Sequence, residues 1–215
     1  FIRQSKDMQV GPTEISERLK GLRNAQPLLA MCCDIFSSYQ QALRYRSAVD
    51  FDDLIRLALL ALQTDEDYLT QLRYRWPFIL EDEAQDSSRL QEEILRLLVG
   101  DGGNWVRVGD PNQAIYETFT TANPKYLLNF LEEPGVQRRE LPNSGRSTRT
   151  IIRLANRLVH WTRDEHPVYA LHEALVTPDI READAPNDPQ PNPPDQPDKV
   201  TIMPNRFHAA AELKK

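Results

Sequence analysis

Glycine is scarce in this chain, with eight in 215 residues, and none of the eight is followed by lysine. The sequence therefore holds no G-x-x-x-x-G-K-S/T loop, the turn whose backbone N–H groups cradle the phosphates of a nucleotide. Cysteine is scarcer still, because Cys32 and Cys33 stand side by side and are the only two. An adjacent pair gives neither a disulfide framework nor the spacing of a zinc site. The expectation is a reducing, cytoplasmic setting, with both as small apolar residues on a helix. No apolar run approaches the roughly 20 residues of a membrane span, so no membrane partner is expected. Positive charge is in deficit, with 26 Lys and Arg against 32 Asp and Glu. That balance argues against a generic nucleic-acid binder, although phosphate contact is decided by local patches rather than by totals.

What remains is enough for one or two compact domains, since 40% of the residues are hydrophobic. Residues 13 to 45 carry a helical apolar stripe, with Thr13 as a candidate cap. "VDFDDLIRLALLAL" predicts a helix capped near Asp50 with its acids in the first turn, and residues 65 to 74 predict another. "WPFIL" has the profile of a short strand buried on both faces. "SSRLQEEILRLLVG" predicts a helix capped by Ser87 or Ser88 and ending at Gly100. "NWVRVGD" and "VQRREL" read as further strands, so strands alternate with helices and a parallel α/β sheet is expected. After Val176 the stretch "PDIREADAPNDPQPNPPDQPDK" holds seven prolines and almost nothing apolar. It reads as a mobile linker or a surface insertion. "KVTIM" predicts a strand beyond it, and the chain stops inside an expected helix.

The densest chemistry lies in "FILEDEAQDSS", residues 78 to 88, where three apolar side chains precede four carboxylates within six positions. An apolar strand that delivers Asp82 and Glu83 at its carboxyl end has the Walker B arrangement. Phosphoryl transfer needs one carboxylate to hold Mg²⁺ and another to orient or deprotonate the attacking water. A solvated strand end is the competing reading of the same residues. Downstream, "VGDPNQAIY" places Gln113 just past the end of a second strand, where an amide can bond a phosphate oxygen or the lytic water without adding charge.

Four segments in order resemble superfamily 1 DNA helicases of the UvrD/Rep/PcrA type. "VDFDDL" resembles the segment ahead of motif II, "EDEAQDSS" motif II, "VGDPNQAIY" motif III, and "LPNSGRSTRTIIRLANRL" motif IV. The resemblance implies a partial RecA-like P-loop NTPase fold, a parallel sheet flanked by helices with a helical N-terminal segment. It implies ATP and Mg²⁺ as cofactors, with Asp82 serving the metal and Glu83 the attacking water. Gln85 and Gln113 would sense the nucleotide, and Arg146 would reach the γ-phosphate from the second motor domain, where a guanidinium stabilises charge on the equatorial oxygens. The implied activity is ATP-driven unwinding or translocation, 3′ to 5′ on single-stranded or partially duplex DNA. The implied organisation runs from a helical segment (1–48) through a first motor domain (49–134) to the start of a second (135–177). A Pro-rich acidic linker or insertion (178–198) and a strand–helix continuation (199–215) complete it. The phosphate loop is then expected upstream of Phe1 and motifs V and VI downstream of Lys215, so the isolated chain is expected to be inactive.

The chain departs from the family at several points. Glu81 replaces an apolar residue, and "NYRS" becomes "NSGRS", which removes a tyrosine expected to stack on adenine. After Tyr116 the aromatic-Arg-Gly-Ala run is replaced by "ETFTTAN". Tyr116 and Phe119 remain candidates either for stacking on bases or for core packing. Residues 137 to 163 carry seven arginines and one acid. Arg149, Arg153 and Arg157 share one helix face, with Ile151, Ile152, Leu154, Leu158 and Val159 as its buried remainder. That stripe suits a DNA path, and equally a solvated face or pairing with the acids of residues 164 to 198. Two other functions compete: a degenerate helicase-like module that binds DNA or protein without hydrolysis, and a "DEAx" RNA helicase of superfamily 2. The "GDPNQ" segment favours superfamily 1 over the latter.

Overall fold

The computed structural model describes the chain except for residues 23, 25, 115–120, 176–178, 184–187, 197 and 199–215. Tyr116, Phe119 and the expected "KVTIM" strand with its following helix lie outside the described residues. The chain divides into two compact units, Phe1–Gln137 and Arg138–Lys215.

The first unit opens with α1 (Ile2–Asp7), α2 (Pro12–Lys20) and α3 (Pro27–Tyr45). The cap lies at Gly11, two positions before the expected Thr13: Pro12, whose ring presets the helical φ, starts α2 directly after it. Pro27 does the same for α3, so the apolar stripe read as continuous belongs to two helices. Cys33 and Phe36 are the buried residues of α3, and the two cysteines are free thiols on that helix.

Next come α4 (Phe51–Thr64) and α5 (Glu66–Arg75). Asp50 caps α4 through a bond from the Asp53 N–H at 2.8 Å, as its sequence implied. The same carboxylate accepts from the buried Lys6 ammonium at 2.6 Å and from the Tyr39 hydroxyl at 2.7 Å. Burial raises the Asp50 pKa, but the bonds from Lys6, Asp53 and Tyr39 together outweigh it and leave the carboxyl below its ordinary value. Donating to Asp50 in turn raises the Tyr39 phenol. One cap thus ties α1, α3 and α4 together.

Two parallel strands follow, β1 (Phe78–Glu81) and β2 (Asn104–Arg107), separated by α6 (Arg89–Val99) and followed by α7 (Lys125–Leu131). Ser88 caps α6 in a full capping box with Gln91, and Gly100 ends it at φ +65°, where a side chain would be strained. The two strands pair Glu81 with Arg107 and Ile79 with Trp105.

Contrary to expectation, β1 is not buried on both faces. Phe78 and Leu80 are 64% and 76% exposed, with Val106 of β2 beside them. The alternate residues face α6 and α7. Trp105 packs on Phe130 with ring centroids 4.8 Å apart. Arg107, wholly enclosed, sits between Glu81 (Nε to Oε2, 2.6 Å) and Glu92 of α6 (3.1 Å), its guanidinium 4.6 Å from the Trp105 ring. Glu81, which broke the apolar pattern, is therefore the strand's half of a buried ion cluster.

In the second unit, β3 (Asn143–Ser144) pairs in parallel with β4 (Arg181–Glu182), and α8 (Arg149–Asp164) lies between them in sequence. "VQRREL" forms no strand: strand geometry begins only at Asn143, after Pro142, whose missing N–H keeps it from donating to a ladder. On α8 only Ile152 of the five anticipated apolar residues is buried. Ile151, Leu154 and Leu158 are exposed. The observed class is α/β with small parallel sheets.

Arg107→Met leaves the enclosed Glu81 carboxylate without a cation, with only the Ser87 hydroxyl on it. It also takes from Glu92 one of two guanidinium partners, the other being Arg96 at 2.7 Å. The unfolding midpoint in urea should fall by an amount equivalent to about 3–5 kcal/mol. Replacing Glu81 and Glu92 by leucine in the same variant should recover most of that loss. A single variant as stable as the parent contradicts the assignment of Arg107 as the charge that holds β1, β2 and α6.

Candidate functional site

The candidate site forms where β1 and β2 end side by side. Two backbone bonds extend the ladder past the strands: Val108 N–H to the Glu81 carbonyl at 2.8 Å, and Ala84 N–H to the Val108 carbonyl at 2.9 Å. They bring the turn after β1 against the turn after β2. Asp82 and Glu83 are both exposed on the first of these turns. Asp82 Oδ1 accepts the Glu83 N–H at 3.0 Å, which fixes the carboxylate against its own turn.

Glu83 has φ 52° and ψ 41°, left-handed backbone that costs a non-glycine residue about 1–2 kcal/mol. The bend reverses the chain into a 3₁₀ turn at Ala84–Asp86 and leaves the Glu83 side chain outside. Beneath it lies Gln85, which is 1% exposed. Its amide N–H donates to Glu83 Oε2 at 2.7 Å, and its carbonyl accepts the Asp110 N–H at 3.0 Å. Asp110 then caps a second 3₁₀ turn, Pro111–Gln113, accepting from Asn112 N–H through Oδ1 and from Gln113 Nε2 through Oδ2, each at 3.0 Å. A continuous chain of hydrogen bonds therefore runs Glu83–Gln85–Asp110–Gln113, from one strand end to the other.

Gly109 makes that chain possible. A Cβ on it would lie 2.6 Å from Gln85 Oε1 and 3.1 Å from the Ala84 nitrogen. The backbone of the second turn approaches the buried amide more closely than any side chain permits.

Hard carboxylate oxygens on one turn suit Mg²⁺, which takes one or two protein carboxylates and completes its shell with water and substrate phosphates. Among the described residues no cluster of three or more His, Cys, Asp or Glu forms a self-sufficient metal cage. Asp86 adds an enclosed Oδ1 with no hydrogen-bond partner among the described residues.

Of the predicted site residues, Asp82, Glu83, Gln85 and Gln113 are brought together here. Gln85 is buried, with its amide nitrogen on the Glu83 carboxylate and its oxygen on the Asp110 N–H. Arg146, Arg149, Arg153 and Arg157 belong to the other unit. There Arg149 and Arg153 pair with Glu182 at 3.3 and 3.0 Å, and Arg157 with Glu165 at 3.3 Å. Arg146 is exposed and makes no ion pair among the described residues. Sequence reasoning passed over Asp110 and Gly109 as site residues. The "GD" before "PNQ" was the available signal, a tight approach followed by a capping carboxylate.

In comparison with known proteins, residues 1–134 match the UvrD/REP helicase N-terminal domain. The ATP-dependent DNA helicase UvrD2 of Mycobacterium bovis is 33% identical over 164 residues, 74% of this chain and 23% of that protein. The ATP-dependent DNA helicase PcrA of Leuconostoc citreum is 32% identical over 135 residues, 62% of this chain and 18% of its own. The ATP-dependent DNA helicase Rep of Escherichia coli is 32% identical over 133 residues, 61% of this chain and 19% of its own. The chain thus spans less than a quarter of the length of these relatives.

Gly109→Ala forces a methyl group against the Gln85 amide, a cost of about 1–3 kcal/mol. The expected result is a lowered thermal midpoint, read by calorimetry. An unchanged midpoint contradicts the close packing of the two turns.

Proposed function

The chain belongs to the UvrD/REP helicase family, and from that premise we propose that it is part of an ATP-dependent DNA helicase or translocase. The observation that carries this reading is the hydrogen-bonded chain that couples Glu83 to Gln113 across the ends of two adjacent parallel strands. Residues 49–134 then belong to a first RecA-like motor domain and residues 135–177 to the start of a second.

In this reading Asp82 would hold Mg²⁺, and the ion would supply charge neutralisation for the phosphates of a bound nucleotide. Glu83 accepts a proton from the attacking water. Its left-handed backbone sets the carboxylate clear of the turn, and the Gln85 N–H fixes one oxygen so that the other is left for water. Gln113, held by Asp110, offers its remaining N–H and its carbonyl to the γ-phosphate or the lytic water. A change at either turn passes to the other through Gln85, which gives nucleotide state a route between the two strand ends.

Arg146 contributes the charge that stabilises the transferring phosphoryl group, and its exposed position in the loop before α8 supports that role. Arg149, Arg153 and Arg157 line a path for single-stranded DNA, with 3′ to 5′ movement, and Tyr116 and Phe119 stack on its bases. DNA phosphates would have to displace Glu182 and Glu165 from the stripe. Such exposed pairs contribute only about 0–1 kcal/mol each, so displacement is inexpensive. With no phosphate loop in its sequence, the 215-residue chain alone is expected not to turn over ATP.

In the full-length protein, Glu83→Gln should bind ATP and DNA normally and hydrolyse about 10²–10⁴-fold more slowly. Turnover within about threefold of the parent removes Glu83 as the base. Arg146→Ala should depress DNA-stimulated turnover and spare nucleotide-free affinity for single-stranded DNA, with lysine rescuing poorly. Alanine at 149, 153 or 157 should instead weaken DNA binding and lower its salt slope by up to about one unit. A variant at 146 that loses only DNA affinity contradicts the assignment.

A further inference from the structure

Two oddities of the sequence meet in the second unit: the glycine within "NSGRS" and the Pro-rich acidic segment after Val176. The loop between β3 and α8, residues 145–148, carries Arg146, and the Pro-rich segment holds it on several sides. Arg181 N–H donates to the Pro142 carbonyl at 2.7 Å as β4 pairs with β3. Asn143 Nδ2 donates to the Asp188 carboxylate at 3.1 Å. Asp195 accepts both the backbone N–H and the hydroxyl of Thr150, each at 2.9 Å. It thereby caps α8 from a distance, while Thr148 at the helix start makes no side-chain cap. That pair of bonds, the backbone one foremost, holds the Asp195 carboxyl below its ordinary value.

The tightest contacts are made by Asn192. Its Oδ1 accepts the Ala183 N–H at 2.8 Å, which turns its amide nitrogen toward the loop. That nitrogen donates to the carbonyl of Ser144 and to the carbonyl of Ser147, the latter at 2.9 Å. Ser144 and Ser147 flank Gly145 and Arg146, so one amide spans the turn that presents the arginine. Gly145 completes the fit. A Cβ there would lie 1.9 Å from the Gln190 carbonyl oxygen, so the crossing of the Pro-rich segment requires glycine at this position.

A segment with so little apolar surface keeps this shape because its prolines reduce the freedom it loses on docking. Pro189, Pro191, Pro193 and Pro194 each fix φ, and none has an N–H left to satisfy.

We propose that Asn192 is a positioning residue for Arg146, and that the Pro-rich segment is the brace that fixes the arginine loop. The proposal rests on the reading of Arg146 as a γ-phosphate contact and extends it to the segment that sets its geometry. Asn192 touches no substrate. It acts by holding the two carbonyls that flank the arginine, and a misplacement of about 1 Å at such a group costs on the order of 10²-fold in rate.

The test uses the full-length protein with Asn192→Asp, which keeps the shape and the acceptor but turns a carboxylate onto two carbonyls. Gly145→Ala perturbs the same loop from the Gln190 side. Single-turnover ATP hydrolysis at saturating single-stranded DNA is measured for each, alone and combined with Arg146→Ala. Nucleotide-free DNA affinity and Tm are read in parallel. Each variant alone should slow hydrolysis by at least about tenfold and leave DNA affinity unchanged. Combined with Arg146→Ala, neither should slow it further. Equal losses with and without Arg146 mean a general structural defect and overturn the proposal, as does full activity in Asn192→Asp when Arg146→Ala is slow. Full activity in Arg146→Ala itself overturns the γ-phosphate reading, and the proposal with it. A fall in Tm leaves the comparison decisive, because loss of fold lowers the rate in both backgrounds.

Discussion

The enclosed guanidinium of Arg107 is the interaction on which the arrangement of the first unit depends. A cation without solvent is tolerated only when partnered on most sides, and Arg107 has Glu81 on the neighbouring strand, Glu92 on α6, the Tyr126 carbonyl at 3.4 Å, and the rings of Trp105 and Phe130. Glu81 is the residue immediately before Asp82, and Arg107 immediately precedes the segment that carries Gly109 and Asp110. The pairing of these two charges therefore sets the register in which both functional turns begin. Ser87 donates its hydroxyl to Glu81 as well, so the start of α6 is tied to the same point.

From that fixed register the site follows by short-range contacts. The strand ends are joined by two further backbone bonds, Glu83 bends into left-handed space, and the bend buries Gln85 beneath it. A buried amide must find partners for both its ends, and here each end selects a different turn. Gly109 removes the side chain that would keep the turns apart. The same logic recurs in the second unit, where Gly145 admits the Gln190 carbonyl and Asn192 joins two carbonyls across the Arg146 turn. In both places a glycine lets two backbones close, and an amide side chain bridges the result.

Capping residues and turn residues were the most legible features in the sequence, because their physics is local. Asp50, Ser88 and Gly100 each do what their position implied. Adjacent cysteines on a helix were equally plain. Burial was less legible. "FIL" reads as doubly buried because all three residues are apolar, yet burial depends on what covers each face, and alternate residues of β1 stand open. On α8 the apolar residues were over-assigned to the interior for the same reason. Glu81 resisted explanation because its partner lies 26 positions away in sequence and becomes adjacent only through parallel pairing. The Pro-rich segment gave no hint of its contacts, since they are made by Asn192, Asp195 and backbone atoms rather than by apolar side chains. Motif order carried the family, while the coupling between motifs emerged only from the hydrogen bonds of Gln85.

The central claim is that the carboxylate turn and the Gln113 turn act as one unit through a single buried amide. The most direct measurement is DNA-stimulated ATP turnover of Gln85→Met in the full-length protein, which preserves volume and removes both hydrogen bonds. The account predicts a fall of about 10–100-fold in turnover with ATP and single-stranded DNA affinities retained, the mark of a group that orients the reacting carboxylate. Turnover equal to the parent, in a folded variant, would contradict it.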